Sequence, residues 1–136
     1  MDVDPILDLL KSAEIGFKQY AGVEELADIQ TRLKTLPAVF IIPLSMQGAT
    51  NSHSVGVVDQ RITQRFTVLA VFNKASKGEL HRIEQAIMAT LVGWSHPDMQ
   101  SGRPGTPCEF VAQRTFNLHG NLATSLDFTT SYHFRK

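Results

Sequence analysis

From Ile62 the chain alternates. Ile62, Gln64, Phe66, Val68, Ala70 and Phe72 fall on one side, and Arg61, Thr63, Arg65, Thr67, Leu69 and Val71 fall on the other. A period of two is that of an extended chain, whose side chains point to opposite faces in turn, so Val57 to Lys74 reads as one long strand. It is rich in β-branched and aromatic residues and has neither Gly nor Pro after Val57, which suits the middle of a sheet. Its second face is polar near Arg61 and Arg65 and apolar near Val71. Water or a partner is therefore expected over the first end, and burial on both faces at the other.

The pattern on either side of this strand supplies the remaining elements. Asp4-Pro5 opens a helix, with Asp4 placed to cap and Pro5 at the first helical position, and Ile6, Leu9, Leu10, Ala13 and Phe17 then form one apolar stripe. The segment around Tyr20, between Gly16 and Gly22, has no assignable period. From Glu24 a second helical pattern places Leu26, Ile29, Leu33 and Leu36 inward until Pro37, with Asp28 and Arg32 paired on its outer face. Ala38 to Leu44 is continuously apolar, as in a strand covered on both faces, and Pro43 marks an edge or a bulge at its far end. Met46–Gly56 is a small, polar loop. Ser76 and Glu79 match a capping box before a third helix whose stripe is Leu80, Ile83, Ile87 and Leu91, closed by Gly93 with Trp94 folding back.

Ser95–Pro107 is rich in proline and glycine and reads as a surface loop. Cys108 to Leu118 and Leu122 to Arg135 then flank the turn signal His119-Gly120-Asn121, which makes a hairpin. In its second strand Leu122, Thr124, Leu126, Phe128, Thr130, Tyr132 and Phe134 share one face. The other face, with Ala123, Ser125, Asp127, Thr129, Ser131, His133 and Arg135, is expected to be solvated. In its first strand Arg114 interrupts the row of Phe110, Ala112, Phe116 and Leu118; either a bulge or an arginine reaching a partner chain accounts for that. The expected fold class is α+β: an antiparallel-rich sheet of about four strands in two hairpins, with two to three helices packed on one face.

Composition narrows the picture further. At 136 residues the chain is expected to form one domain, and at 43% hydrophobic and 19% charged residues it has the balance of a globular protein. Thirteen basic residues offset thirteen acidic ones, so there is no general electrostatic footprint for nucleic acid or an anionic membrane. The longest apolar run, Ala38 to Leu44, is too short to span a bilayer, and Met1-Asp2-Val3-Asp4 is acidic where a secretory signal is basic. An intracellular location outside the membrane is the expectation. Cys108 is the single cysteine, which excludes an internal disulfide and is expected to be a small buried residue.

Candidate chemistry is sparse. His53, His81, His96, His119 and His133 form no ligand pair such as His-x-x-x-His. His81 and Glu84 lie three apart on the third helix and can face one ion, but no third ligand accompanies them, so a solvated helix face is expected there. Phosphate-binding glycine loops and a nucleophile elbow are both missing. Arg61, Arg65, Arg114 and Arg135 all stand on strands, where they can line a basic face, make ion pairs between subunits, or sit in water. No catalytic, cofactor-binding or metal residue is assigned, no cofactor is expected, and the chain is not expected to be an enzyme.

Five stretches carry a resemblance. They are Leu36-Pro37-Ala38-Val39-Phe40-Ile41-Ile42-Pro43-Leu44, Gln64-Arg65-Phe66-Thr67-Val68-Leu69-Ala70-Val71, Leu91-Val92-Gly93-Trp94, Phe110-Val111-Ala112, and Asp127-Phe128-Thr129-Thr130-Ser131-Tyr132. Through them the C-terminal two-thirds of the chain resembles tail terminator proteins of bacteriophages and prophages, including Mu-like ones and the lambda tail-terminator fold. The loop Ser95–Pro107 departs from that pattern in length and proline content. The resemblance implies a single tail-terminator-like domain over residues 1–136 that caps the tail tube as a hexameric ring, stops its polymerisation and offers a joining surface to the head. It implies as partners other copies of itself (monomeric when free), the tail tube protein and a head–tail connector, with no nucleic-acid specificity and no membrane. It places the protein in the virion tail, and in the host cytoplasm during assembly. The loops Met46–Gly56 and Ser95–Pro107 are expected to meet neighbouring subunits or the tube. Another head–tail joining protein and a small ligand-binding α+β module are the competing expectations.

Overall fold

The structure is a computed structural model and describes residues 1–49, 59–73, 77–96 and 106–135. Within them five strands form one sheet in the order β1-β2-β3-β5-β4: β1 Gln19–Gly22, β2 Ala38–Gly48, β3 Asp59–Phe72, β4 Thr106–Leu118 and β5 Asn121–Arg135. Three helices accompany them: α1 Asp4–Ser12, a short α2 Ile29–Arg32 entered through one 3-10 turn at Leu26–Asp28, and α3 Lys77–Leu91. The expected α+β architecture and both antiparallel pairs, β2 with β3 and β4 with β5, are present.

The alternation in β3 sorts the core as expected. Phe66, Val68, Ala70 and Phe72 join Val39 and Ile41 of β2 and Leu126 and Phe128 of β5 in a layer under α1 and α3. Leu69 and Val71 point the other way and pack with Ala38, Phe40, Ile42, Ala123 and Leu118. β3 therefore buries both faces at its Val71 end, while Arg61 is exposed at the other. Each large aliphatic or aromatic side chain enclosed here contributes on the order of 1.5–3 kcal/mol. Phe66 and Phe128 stack at 5.6 Å between centroids in the middle of the first layer.

Several local expectations shift. α1 ends at Ser12 rather than continuing to Phe17: Glu14 at φ 51° and Gly16 at φ 111° turn the chain, and Phe17 reaches the core from beyond the helix. Ala13 is exposed, and Leu7 is buried in its place. The Asp4 side chain caps nothing; instead the Asp2 carboxylate accepts from the Asp4 N–H at 3.0 Å. The unassigned segment around Tyr20 is a strand, β1, parallel to β2 with Gln19 opposite Ala38. Its Gln19 side chain accepts from the N–H groups of Lys34 and Thr35 and donates to the Arg32 carbonyl, so those residues form an ordered turn where a helix was expected. The second helical pattern is thereby cut to a short element. It lies on the face opposite α1 and α3, with Ile29, Leu33 and Leu36 over Phe40 and Val71.

Pro43 does sit at an irregularity: the β2–β3 register shifts between Pro43 and Met46. Gln64, buried on β3, turns its amide to the Leu44 and Ser45 carbonyls at that bulge. β1 stops opposite Ile41, so Pro43, which has no N–H to offer, needs no partner on that side. The β4–β5 connection is a two-residue turn, His119 at φ 51° and Gly120 at φ 85°, and the Gly120 N–H is held by the Asn117 side chain at 3.0 Å. Both angles are positive, the twist that lets right-twisted strands close a tight hairpin.

Candidate functional site

The two faces of the sheet are covered unequally. One lies under α1 and α3, while the segment Val23–Leu36 covers only the Phe40–Val71–Ala123 part of the other. Beyond that cover the second face is open, with Arg61 and Arg114 exposed and Arg65, Asp127 and Thr129 half-buried. This face is less solvated than the pattern of β5 implies. Ala123 is fully enclosed, Ser125 and Asp127 are partly shielded, and Asp127 accepts a 2.6 Å hydrogen bond from the Thr67 hydroxyl of the adjacent strand.

The strand arginines differ in their surroundings. Arg61 donates through Nε to Ser131 Oγ at 3.3 Å. The Nε of Arg65 is buried and has no hydrogen-bond partner among the described residues. A bulge in β4 between Phe110 and Ala112 turns Phe110 to the other face, while Arg114 stays in one row with Ala112 and Phe116 on this face. The Arg114 guanidinium lies over the Phe116 ring, 5.4 Å from the centroid, which leaves the charge accessible while the stem covers apolar surface. Arg135 stands at the end of β5, in register with Asp59 of β3.

Between the cover segment and β4 runs a groove of about 380 Å³ with an apolar floor of Ile42, Leu44, Leu69 and Phe116. Glu24 and Glu25 stand on one rim and Arg114 with Ser125 on the other. A groove with an apolar floor and rims of opposite sign suits a side chain or a segment of another protein. Among the described residues nothing on this face pairs a nucleophile with a base. Among the described residues no group of three or more His, Cys, Asp or Glu side chains is placed to hold a metal ion, and no helix is long and apolar enough to cross a membrane.

The histidines are dispersed. His81 is exposed on α3, His119 sits in the hairpin turn, His133 lies on β5 opposite Arg61, and His53 falls outside the described residues. His96 is buried: its Nε2 lies 2.6 Å from the Asp2 carbonyl and its ring meets Trp94 edge to face, so it ties the segment after α3 to the N-terminus. Glu84 contradicts the expectation of a solvated helix face. It points at the sheet, where its Oε1 accepts from Thr124 Oγ1 and from Gln113 Nε2, each at 3.0 Å. Cys108 is buried as expected, and that burial pushes its thiol up to about 11, partly offset by a hydrogen bond with Thr130.

Sequence reasoning named the arginines, but it missed the groove that joins Glu24 and Glu25 to Leu44 and Phe116. The available signal was Leu44 itself, an apolar residue stranded beyond a proline. Of the two loops, Met46–Gly48 is absorbed into β2 and Thr106–Pro107 into β4. Residues 50–58 and 97–105 lie outside the described residues, and with them the contacts expected of those loops.

No curated protein matches the chain. Among solved structures, one from a particle described as the "Virion of native gene transfer agent (GTA) particle" has the same fold at a TM-score of 0.56 and 14% identity, covering 96% of this chain and 86% of that one. The sequence model of the family described as phage tail terminator protein matches residues 1–136. The chain thus belongs to the phage tail terminator protein family, and its role is a structural one in the phage tail, as a component of the virion.

Proposed function

We propose that this protein ends the tail tube. Copies assemble as a hexameric ring on the last tube layer, stop further polymerisation, and present the opposite surface of the ring to the head–tail connector. The observation that carries the reading is the half-open sheet face. A packed α+β core leaves one broad surface with exposed arginines and a charged-rim groove, and among the described residues the buried Arg65 Nε has no partner and no catalytic constellation stands beside it. Such a surface works by binding. The neutral overall charge leaves no general attraction for nucleic acid, which suits a protein that acts on protein partners.

In this reading residues 1–136 work as one tail-terminator-like domain. The free chain is a monomer in the host cytoplasm, and it becomes a ring only against the tube. A ring requires a heterologous interface, in which one surface of a subunit meets a different surface of the next. The deciding experiment measures tail-length distributions by electron microscopy in lysates with and without the gene. Overlong, polydisperse tails that fail to join heads are expected in its absence. Tails of normal length that still fail to join would replace this reading with a connector role, and normal infectious particles would refute both.

A further inference from the structure

The sheet has two unlike edges, and they lie on opposite sides of the subunit. One is β4. The Cys108 N–H donates to the Trp94 carbonyl and the Cys108 carbonyl accepts from the Gly93 N–H, so the segment after α3 covers the start of this edge. From Glu109 onward no further strand flanks β4 among the described residues. The bulge there leaves Phe110 39% and Val111 45% exposed, with Arg114 three residues beyond. The other edge is composite. β1 flanks β2 only as far as Ile41, and just past that point Leu44 is 45% exposed. A cleft of about 750 Å³ opens beside Pro43 where β1 ends, lined by Asp4, Glu24 and Asp28 together with Val3 and Val23, and with Arg32 also at its rim.

Charge is divided along the chain in the same sense. Residues 1–28 hold seven acidic and two basic side chains, and residues 29–136 hold six and eleven, so a net of minus five faces plus five in a molecule that is neutral as a whole. We propose that copies of this chain associate head to tail through these edges, the β4 edge of one lying against β2 around Leu44 in the next, with Arg114 at the acidic cleft beside Pro43. This rests on the ring reading above and names the contact that would close it.

Strand direction fits the arrangement. β2 and β5 run one way, β3 and β4 the other. Rotation about an axis along the strands, as a closed ring of this kind needs, preserves those directions, so β4 meets the neighbour's β2 antiparallel. With Val111 beside Leu44, an antiparallel course reaches the end of β1 within a few residues, because Gly22 and the Val23 N–H already hold Ile41. Arg114, about 10 Å from Val111 at roughly 3.4 Å per residue, then lies over the Gly22–Glu24 segment. That is where the cleft opens. Val111 and Leu44 are then covered, and the arginine meets carboxylates.

Cysteine cross-linking tests the contact. Leu44 and Val111 of one copy are separated by three strand spacings, about 14 Å, so they cannot bond within a chain. Leu44→Cys and Val111→Cys are prepared singly and together, and oxidised both as concentrated free protein and in tails assembled from them; buried Cys108 stays out of the reaction. A covalent dimer is expected only when the two single variants are mixed, and a ladder of higher species from the double variant. Yield should drop several-fold in molar salt or with Arg114→Glu. Absence of the mixed dimer from both preparations, or equal dimer from either single variant alone, overturns the proposal. Correctly terminated tails without cross-links would sink this contact and leave the ring reading standing. Cross-linked ladders with normal tails in the absence of the gene would do the reverse.

Discussion

Glu84 offers a sharp test of how α3 is fastened to the sheet. Its carboxylate is half-buried and accepts from Thr124 Oγ1 and Gln113 Nε2 at 3.0 Å each, and the Gln113 amide also reaches Thr124 Oγ1 at 2.9 Å and Thr115 Oγ1 at 2.8 Å. A hydrogen bond to a charged group is worth about 1.5–3 kcal/mol, and leaving a buried donor unpaired costs about 1–3 kcal/mol. Thr124 is fully buried, but its hydroxyl keeps Gln113 as a neighbour after the carboxylate is removed, so the two costs do not simply add. Glu84→Ala should therefore destabilise the fold by about 2–3 kcal/mol, and Glu84→Gln by less, since an acceptor oxygen remains. Urea unfolding measures this directly. At a slope of about 1–3 kcal/mol per molar for a small protein, the midpoint should fall by about 1 M with the slope unchanged. A cycle with Thr124→Val should show a coupling of about 1 kcal/mol or more, within the range for residues in direct contact. A change within about 0.5 kcal/mol, as for an ordinary surface residue, or strict additivity with Thr124→Val would refute the latch.

Three other outcomes follow from the packing. Phe128→Ala, which removes the ring between Phe66 at 5.6 Å and Phe110 at 5.9 Å, should cost about 3–5 kcal/mol in the same assay, whereas Phe110→Ala at the exposed edge should cost clearly less. Cys108 titrates near 9.0 when unfolded and at about 11 when folded, so the unfolded chain loses the proton first. Stability is retained below pH 9 and should fall between pH 9 and 11 by up to about 2–3 kcal/mol; pH-dependent melting of Cys108→Ala should lack that component. His96→Ala removes the ring that meets the Asp2 carbonyl and Trp94, so amide exchange in α1 should accelerate at least ten-fold, while exchange in the centre of β3 changes much less.

The sequence alone determined the elements whose side-chain period is long and uninterrupted. β3 alternates over enough residues to reveal both its central place and its changing exposure, and α3 shows its stripe because Ile83, Ile87 and Leu91 recur on one face. The His119-Gly120 turn was equally legible, since few residues accept positive φ at two successive positions. Tertiary structure decided what periodicity does not encode. Four residues, Gln19–Gly22, are too few to show a period, and they became a strand because β2 offered a free parallel edge. The pattern from Glu24 to Leu36 looked helical, yet Gln19 captured the N–H groups of Lys34 and Thr35 and left only a short helix over the second face. Glu84 looked solvated because a helix stripe says nothing of what stands opposite, and two polar groups on β4 and β5 claimed it. The candidate surface has the same origin. Arginines on a strand face were visible in the chain, but the groove from Glu24 to Arg114 exists only because a cover segment stops short of β4. Local spacing fixes which face a side chain takes; which faces meet is settled by contacts between residues far apart in the chain.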